Sequence, residues 1–222
     1  MKYNLFILLF LMSLNLVSQN LITDPSFEHS YDTLKSFYSD ITLFKTWKIQ
    51  NKTFPFINPH KDDDALESCD KSNENLVFLV INLRGDTIRK EKSLISDRLY
   101  SKLIKPITKG KKYKLSYHYK VGTSFSDINC NGFGICLEKF DFSKPPNKKY
   151  LVSTEIVKNR EWKYYEELFI AENDFDRIII GVFLDAGNFK FIDVDPDNMD
   201  YKNKDGSMSC RFHVDCLSLT EI

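Results

Sequence analysis

The chain has 222 residues, of which 14% are aromatic, and its 31 Lys and Arg residues balance its 31 Asp and Glu residues. With only eight Gly and seven Pro, this composition can fill a hydrophobic core and excludes an intrinsically disordered chain. The zero net charge excludes a global electrostatic field that would attract nucleic acid or an anionic membrane.

Residues 1–18 have the pattern of a secretory signal peptide. Lys2 supplies the positive start, residues 5–14 form an apolar core, and Ser18 is a small residue suited to cleavage. A membrane span would need roughly 20 apolar residues, so this run is too short for an anchor. We predict that residues 1–18 direct export and that residues 19–222 form one domain, in the periplasm, at the cell surface or outside the cell.

Strand-length patterns recur along the rest of the chain, and turn signals separate them. No long helical period appears. The predicted strands are residues 21–28, 76–83, 97–104, 111–120, 134–140, 150–157, 162–171, 176–184 and 210–219. Residues 29–75 and 185–209 are predicted to be long loops. The pattern predicts an all-β fold, a two-sheet antiparallel β-sandwich of the jelly-roll type.

Residues 111–120 show the clearest alternation in the chain. Large apolar and aromatic residues occupy the odd positions from 113 to 119, and we expect them to face the core. Ser116, His118 and Lys120 fall on the opposite face, which we expect either to be wet or to line a groove.

Five cysteines leave at least one thiol unpaired or bonded to a partner. In one strand, Cys210 and Cys216 would lie about 20 Å apart. A disulfide requires Cα atoms within about 7 Å, so these two residues should bond elsewhere or stay free. Cys130 and Cys136 are candidates for closing a small loop, because the two glycines between them permit a chain reversal.

Several short motifs occur in a characteristic order. They are Asn20-Leu21, Pro25-Ser26-Phe27-Glu28, Trp47, Leu103 with Pro106, the run from Gly110 to Tyr117, Trp162, Phe169-Ile170-Ala171, Ile179-Ile180-Gly181 with Phe183, and Val214-Asp215 with Leu217-Ser218-Leu219. This order resembles the exported jelly-roll domain at the N-terminus of Bacteroidota OmpA-like envelope proteins. That domain is similar to carbohydrate-binding modules of the galactose-binding-like fold. The chain departs from the pattern because no OmpA domain follows, and because Cys216 replaces a second acidic or amide residue.

The resemblance implies a structural calcium ion that ties the first strand to the last. Glu28 and Asp215 match the positions that would bind it, and calcium prefers six to eight oxygen ligands. The alternative is that these carboxylates are solvated or pair with Lys or Arg. The acidic run at residues 193–200 resembles a calcium loop, but Lys204 stands where an EF-hand needs its bidentate Glu. We interpret that run as a solvated loop.

Sugar sites combine aromatic platforms with a few polar groups, because a pyranose has an apolar face and a rim of hydroxyls. Tyr38 and Trp47 are the candidate platforms. Ser116, His118 and Lys120 are the candidate polar lining, on the sheet face where the resembling modules bind glycans. The alternative for Trp47 is a position in the core.

The sequence therefore predicts an exported, non-catalytic module that recognises a glycan or a cell-envelope component, without a nucleic-acid partner. It contains no nucleophile elbow, phosphate loop or dinucleotide fingerprint, and its histidines lack zinc-ligand spacing. One alternative is a structural envelope or adhesion protein that binds a protein partner, which an unpaired cysteine or an exposed apolar patch would favour. The other is a secreted glycan-active hydrolase, which a pocket with two convergent carboxylates would favour.

Overall fold

The fold is seen in a computed structural model that covers most of the predicted strands. The described residues are 19–27, 46–49, 56–57, 77–85, 92–96, 98–121, 128–141, 143–145, 147–153, 155–158, 161–183, 190–193 and 208–222. The predicted signal peptide, Glu28, Tyr38 and most of the acidic run at 193–200 lie outside them. The described part of the chain contains no helix that is long and apolar enough to cross a membrane.

All of the regular secondary structure in the described residues consists of β-strands. In chain order these are β1 (Trp47–Ile49), β2 (Phe56–Ile57), β3 (Val77–Gly85), β4 (Lys92–Ser96), β5 (Arg98–Ile107), β6 (Lys112–Val121), β7 (Ile128–Cys130), β8 (Phe133–Lys139), β9 (Asn147–Val152), β10 (Lys163–Ile170), β11 (Phe175–Val182), β12 (Phe191–Asp193) and β13 (Met208–Glu221).

The strands pair antiparallel in two main sheets, which confirms the predicted all-β sandwich. The five-stranded sheet has the order β1-β5-β11-β8-β9. The six-stranded sheet has the order β10-β6-β13-β3-β2, with β4 also paired to β3. A separate two-stranded ribbon joins β12 to β7. β1, β2 and β12 lie in the two segments that the sequence predicts to be long loops.

The core lies between the two sheets, and the alternation of each strand supplies it. Tyr113, Leu115 and Tyr117 of β6 are buried, as the alternation predicted. Phe133 of β8 stacks on Phe212 of β13 with ring centroids 4.6 Å apart, so aromatic rings from the two sheets interdigitate.

The N-terminal segment closes the sandwich without forming the strand predicted at residues 21–28. Leu21 donates its N–H to the Leu219 carbonyl at 2.7 Å and accepts from the Ile104 N–H at 2.9 Å. The carbonyl of Pro25 accepts from the Leu217 N–H at 2.9 Å. The segment therefore lies between the edges of β5 and β13 and bonds to both. Pro25 lacks an N–H and cannot take part in a continuous ladder, which explains why only an isolated bridge forms here.

The suggestion that Cys130 and Cys136 close a loop is wrong, because both are free thiols. Cys130 lies in the core at the end of β7. Cys136 points the other way, to the outer side of the five-stranded sheet, because Phe133, Ile135 and Leu137 take the core side of β8. The Cys130 thiol instead lies close to that of Cys210, which is also free.

Candidate functional site

Three neighbouring strands, β10, β6 and β13, present a row of polar and aromatic side chains away from the core. Their register places Tyr164 opposite His118, and His118 opposite Asp215. One step along, Lys120 lies opposite His213. Residues paired directly across antiparallel strands share one face of the sheet. We call this surface the β6 face, comprising Ser116, His118, Lys120, Trp162, Tyr164, His213 and Asp215.

The structure brings Ser116, His118 and Lys120 together on the β6 face, as their alternation predicted. Ser116 and Lys120 are buried and His118 is half-buried, so the row is recessed and is not a wet strand surface. This burial argues against the solvated face; the groove stays a prediction. A Lys seldom loses most of its solvent contact unless other groups satisfy its charge.

Trp162 is one of the groups that compensate the charge of the buried Lys120. The Lys120 Nζ lies 4.7 Å from the centroid of the indole ring, in cation–π geometry. The same ring and that of His213 are in a T-shaped arrangement, with centroids 6.5 Å apart. Trp162 is half-buried, so one aromatic ring on this face remains partly accessible.

Tyr164 is the most exposed aromatic residue of the β6 face, at 54%. Its hydroxyl donates to Glu166 Oε2 at 2.6 Å, and its ring lies 5.2 Å from that of His118. Glu166 also pairs with Lys114 at 2.8 Å. Hydrogen bonds from Lys114 and Tyr164 hold the pKa of Glu166 below its usual range. The carboxylate therefore stays ionised at neutral pH and fixes the tyrosine in place.

His118 contributes an unsatisfied polar atom. Its Nδ1 is buried and has no hydrogen-bond partner among the described residues. Leaving a buried donor or acceptor unpaired costs about 1–3 kcal/mol, so most such atoms in proteins are bonded to protein, water or ligand. The imidazole of His118 is therefore a polar group of the β6 face whose hydrogen bonding the described residues do not complete.

Trp47, which sequence analysis proposed as a platform, is a core residue and is only 1% exposed. Its Nε1 donates to the Asp24 carbonyl at 2.9 Å, and its ring packs 5.1 Å from that of Phe27. We therefore leave Trp47 out of the site. Tyr38, the other proposed platform, lies outside the described residues. The aromatic residues that do lie on the face, Trp162 and Tyr164, were not selected from sequence, although their spacing of two along a strand is the relevant signal.

Asp215, proposed as a calcium ligand, is fully buried beside a bulge in β13. Its Oδ1 accepts from the N–H of Cys216 at 2.7 Å. The register shifts between Asp215 and Ser218, and Cys216 has a φ of 52°. In the described part of the chain, no three His, Cys, Asp or Glu side chains are grouped so that they would hold a metal ion. The partner proposed for Asp215, Glu28, lies outside that part.

The chain ends are joined by an amide side chain. Asn20 Oδ1 accepts from the N–H groups of Leu219, at 3.0 Å, and of Ile22, at 3.1 Å. Its Nδ2 donates to the Leu217 carbonyl at 2.9 Å. One side chain thus satisfies three backbone groups at the point where the first segment meets the last strand.

No protein-family model matches the chain, and no curated protein matches it. The chain is similar to several solved structures. Over 92% of its length and all of the other chain, it is 13% identical to TmCBM61, solved in complex with beta-1,4-galactotriose, with a TM-score of 0.43. Over 92% of its length and 96% of the other chain, it is 8% identical to the CBM22-1 xylan-binding domain of Paenibacillus barcinonensis Xyn10C, with a TM-score of 0.49.

A third similar structure is the enzymatically active domain of bacteriophage CBA120 tailspike protein 4. The identity is 10% and the TM-score 0.47, over 91% of this chain and 21% of the other. Because the identities are at most 13% and the TM-scores are below 0.5, these likenesses assign neither a family nor a ligand to the chain.

Proposed function

We propose that the protein is an exported, non-catalytic module that binds a glycan or another cell-envelope component on the β6 face. The observation that carries the proposal is the register of β10 and β6. It sets the accessible rings of Trp162 and Tyr164 beside the recessed polar groups of His118 and Lys120.

This combination suits a sugar. The C–H face of a pyranose packs on an aromatic ring, while its hydroxyl rim needs donors and acceptors at the side. Tyr164 offers its ring in an orientation fixed by Glu166. The half-buried imidazole of His118 lies beside it, with ring centroids 5.2 Å apart, and adds a polar group to the same face. Because paired strands hold these groups in place, little conformational entropy is lost when a ligand binds.

Export and an envelope location belong to the same proposal. They are supported by the signal-peptide pattern of residues 1–18 and by the resemblance to exported Bacteroidota envelope domains. A structural calcium ion near Asp215 and Glu28 is also part of the proposal and rests on that resemblance. Glycans are the ligands named for TmCBM61 and the Xyn10C domain, the same class of ligand as we propose here.

A glycan array probed with the purified protein, in calcium and again in EDTA, tests the proposal. We expect binding to a defined glycan, and weaker binding with a lower melting temperature in EDTA if calcium joins the chain ends. Unchanged binding and melting in EDTA would remove calcium from the account and leave the binding proposal intact. A blank array from folded protein would contradict the glycan proposal.

Binding to a protein partner is a second candidate function, favoured by one observation. Leu168, Ile170 and Ile222 are exposed aliphatic residues at one end of the six-stranded sheet. Ile170 pairs with Lys112, whose carbonyl accepts from the Ile222 N–H at 3.0 Å, so these residues lie close together. Crosslinking of wild-type protein and of L168S/I170S in envelope extracts tests this. A specific crosslinked partner that the double variant loses would support it, and identical crosslinks would contradict it.

A further inference from the structure

The outer side of the five-stranded sheet carries a second surface that the proposed function does not use. Its central row crosses all five strands, because each residue pairs directly with the next. The row is Lys48, Tyr100, Ile179, Cys136 and Tyr150. With strands about 4.8 Å apart, it spans roughly 19 Å, enough for several sugar rings.

Cations flank this row on both sides. The pairing places Lys102 opposite Arg177, and Arg177 opposite Glu138, which in turn pairs with Lys148. On the other side, Arg98 lies opposite Gly181. We call the whole surface the basic face, with the cations Lys48, Arg98, Lys102, Arg177 and Lys148.

Two carboxylates among the described residues offset only part of this charge. Glu138 is buried and lies 3.4 Å from the Lys148 Nζ. Asp176 lies 3.8 Å from Arg177 Nε. Five cations therefore face two carboxylates, although the chain as a whole is neutral. The positive charge is a local property of this face.

Aromatic rings hold the two arginines in place. The Arg98 guanidinium lies 5.1 Å from the centroid of Phe183, whose ring lies 5.4 Å from that of Tyr150. The Arg177 guanidinium lies 4.4 Å from the centroid of Phe140 and 5.7 Å from that of Tyr100. A guanidinium fixed over a ring presents its N–H groups as a preorganised fork.

Between the two arginines the basic face has an apolar floor, formed by side chains that are buried or very small. Ile179 and Cys136 are buried there, and in the next row Gly181 pairs with Gly134. A Cβ on Gly134 would lie 2.3 Å from a backbone oxygen of β9, so this position requires glycine. Burial raises the pKa of the Cys136 thiol to about 12, while Lys148 and Arg98 act to lower it, so both cations are close to this floor.

We propose that the basic face is a second binding site and that it takes an acidic glycan, a polyuronate. Carboxylates match the planar forks of Arg98 and Arg177, which bind them with two parallel hydrogen bonds. Tyr150 is 51% exposed and offers a ring to the sugar faces between the carboxylates. The inference does not depend on glycan binding at the β6 face, because no residue is shared.

Calorimetric titration with polygalacturonate tests the proposal, with fully methyl-esterified polygalacturonate as the neutral ligand. The R98Q/R177Q variant removes both forks, and Y164A on the β6 face is its control. We expect R98Q/R177Q to weaken polygalacturonate binding by about tenfold or more, and Y164A to leave it unchanged. The methyl ester should bind the wild type at least about tenfold more weakly than the acid.

Several results would overturn the proposal. One is an unchanged affinity in an R98Q/R177Q variant that melts within a few degrees of the wild type. Another is equally tight binding of single-stranded DNA or polyphosphate, since that would show attraction to any polyanion. If R98Q/R177Q does not fold, K102Q/K148Q replaces it, because both lysines are exposed, and unchanged binding there counts equally against the site.

The same measurements also show whether the two faces bind independently. Loss of neutral-glycan binding in Y164A, with polygalacturonate binding intact, would show that the β6 face and the basic face are separate sites.

Discussion

The side chain of Asn20 binds the backbone of Leu219, 199 residues later in the chain, with 3.0 Å between Oδ1 and the amide nitrogen. The same side chain reaches Leu217 and Ile22. These bonds fix the N-terminal segment against β13, the strand that also carries Asp215 and His213 of the β6 face. The closure of the fold and the shape of the site therefore share one strand.

Replacing Asn20 should destabilise the fold without removing an apolar contact. N20A would leave the Leu219 and Ile22 N–H groups and the Leu217 carbonyl without this partner. A net value near 1 kcal/mol for each bond predicts a loss of about 2–3 kcal/mol in the free energy of unfolding, measured by urea denaturation. N20D keeps Oδ1 but loses the Nδ2 donor, and should fall between N20A and wild type. A change below about 0.5 kcal/mol in N20A would contradict the role given to Asn20.

Trp47 should matter for stability and not for ligand binding. W47F keeps an aromatic ring beside Phe27 but removes the hydrogen bond from Nε1 to the Asp24 carbonyl. We expect a loss of about 1–2 kcal/mol in unfolding free energy, because the buried Asp24 carbonyl loses its shorter hydrogen bond and keeps only the one from the Phe27 N–H, at 3.5 Å. Glycan affinity should stay unchanged in the folded protein. A large drop in affinity with unchanged stability would show that Trp47 contacts the ligand.

The buried thiols should be inert in the native protein. Burial raises the pKa values of Cys130 and Cys136, the latter to about 12. At pH 8 the thiolate of Cys136 would then be roughly one part in ten thousand, and the thiolate is the reactive form. Alkylation followed by peptide mass mapping should leave both residues unmodified until denaturant is added. Rapid native-state modification of Cys136 would contradict its place on the floor of the basic face.

Glu221 should make stability depend on acidic pH. Its hydrogen bond with Lys111 holds the pKa of Glu221 below its usual range, and Lys105 lies 3.7 Å away. A carboxylate whose pKa is lowered by folding contributes stability that is present above the unfolded-state pKa, about 4.3, and is lost as the pH falls through the folded value. Melting temperature should therefore fall less steeply between pH 5 and pH 3 in E221Q than in wild type. E161Q, at an exposed glutamate, is the control, and identical slopes in E221Q and wild type would contradict the prediction.

The strands with strong local patterns were predictable. The apolar run of β11 and the alternation of β6 each indicate which of the strand's side chains are buried, and both strands were located from sequence. β1, β7 and β12 have three residues each, and their pairing depends on partners far along the chain. A short segment carries too little pattern to be recognised without those partners. The N-terminal segment was predicted to be a strand beside the last strand. It lies there but forms only an isolated bridge, because Pro25 has no N–H to donate to a ladder.

The candidate site was predictable from sequence only for those of its residues that lie on a single strand. The alternation of β6 put Ser116, His118 and Lys120 on one face, and the structure agrees. Tyr164 joins them only through the register of β10 on β6, which no local pattern reveals. The aromatic richness around Trp47 suggested a platform, but its burial is set by Phe27 and Asp24 from another segment. The basic face is assembled from five strands and was not predicted at all.

The most direct test compares two tyrosines of similar exposure on opposite faces, 54% for Tyr164 and 51% for Tyr150. The affinity of wild type, Y164A and Y150A for the best neutral glycan from the array is measured by calorimetry. If the β6 face binds the glycan, Y164A should weaken binding roughly 3- to 10-fold, the effect of one aromatic packing contact, and Y150A should leave it unchanged. Unchanged affinity in folded Y164A, or a loss confined to Y150A, would contradict the assignment of glycan binding to the β6 face.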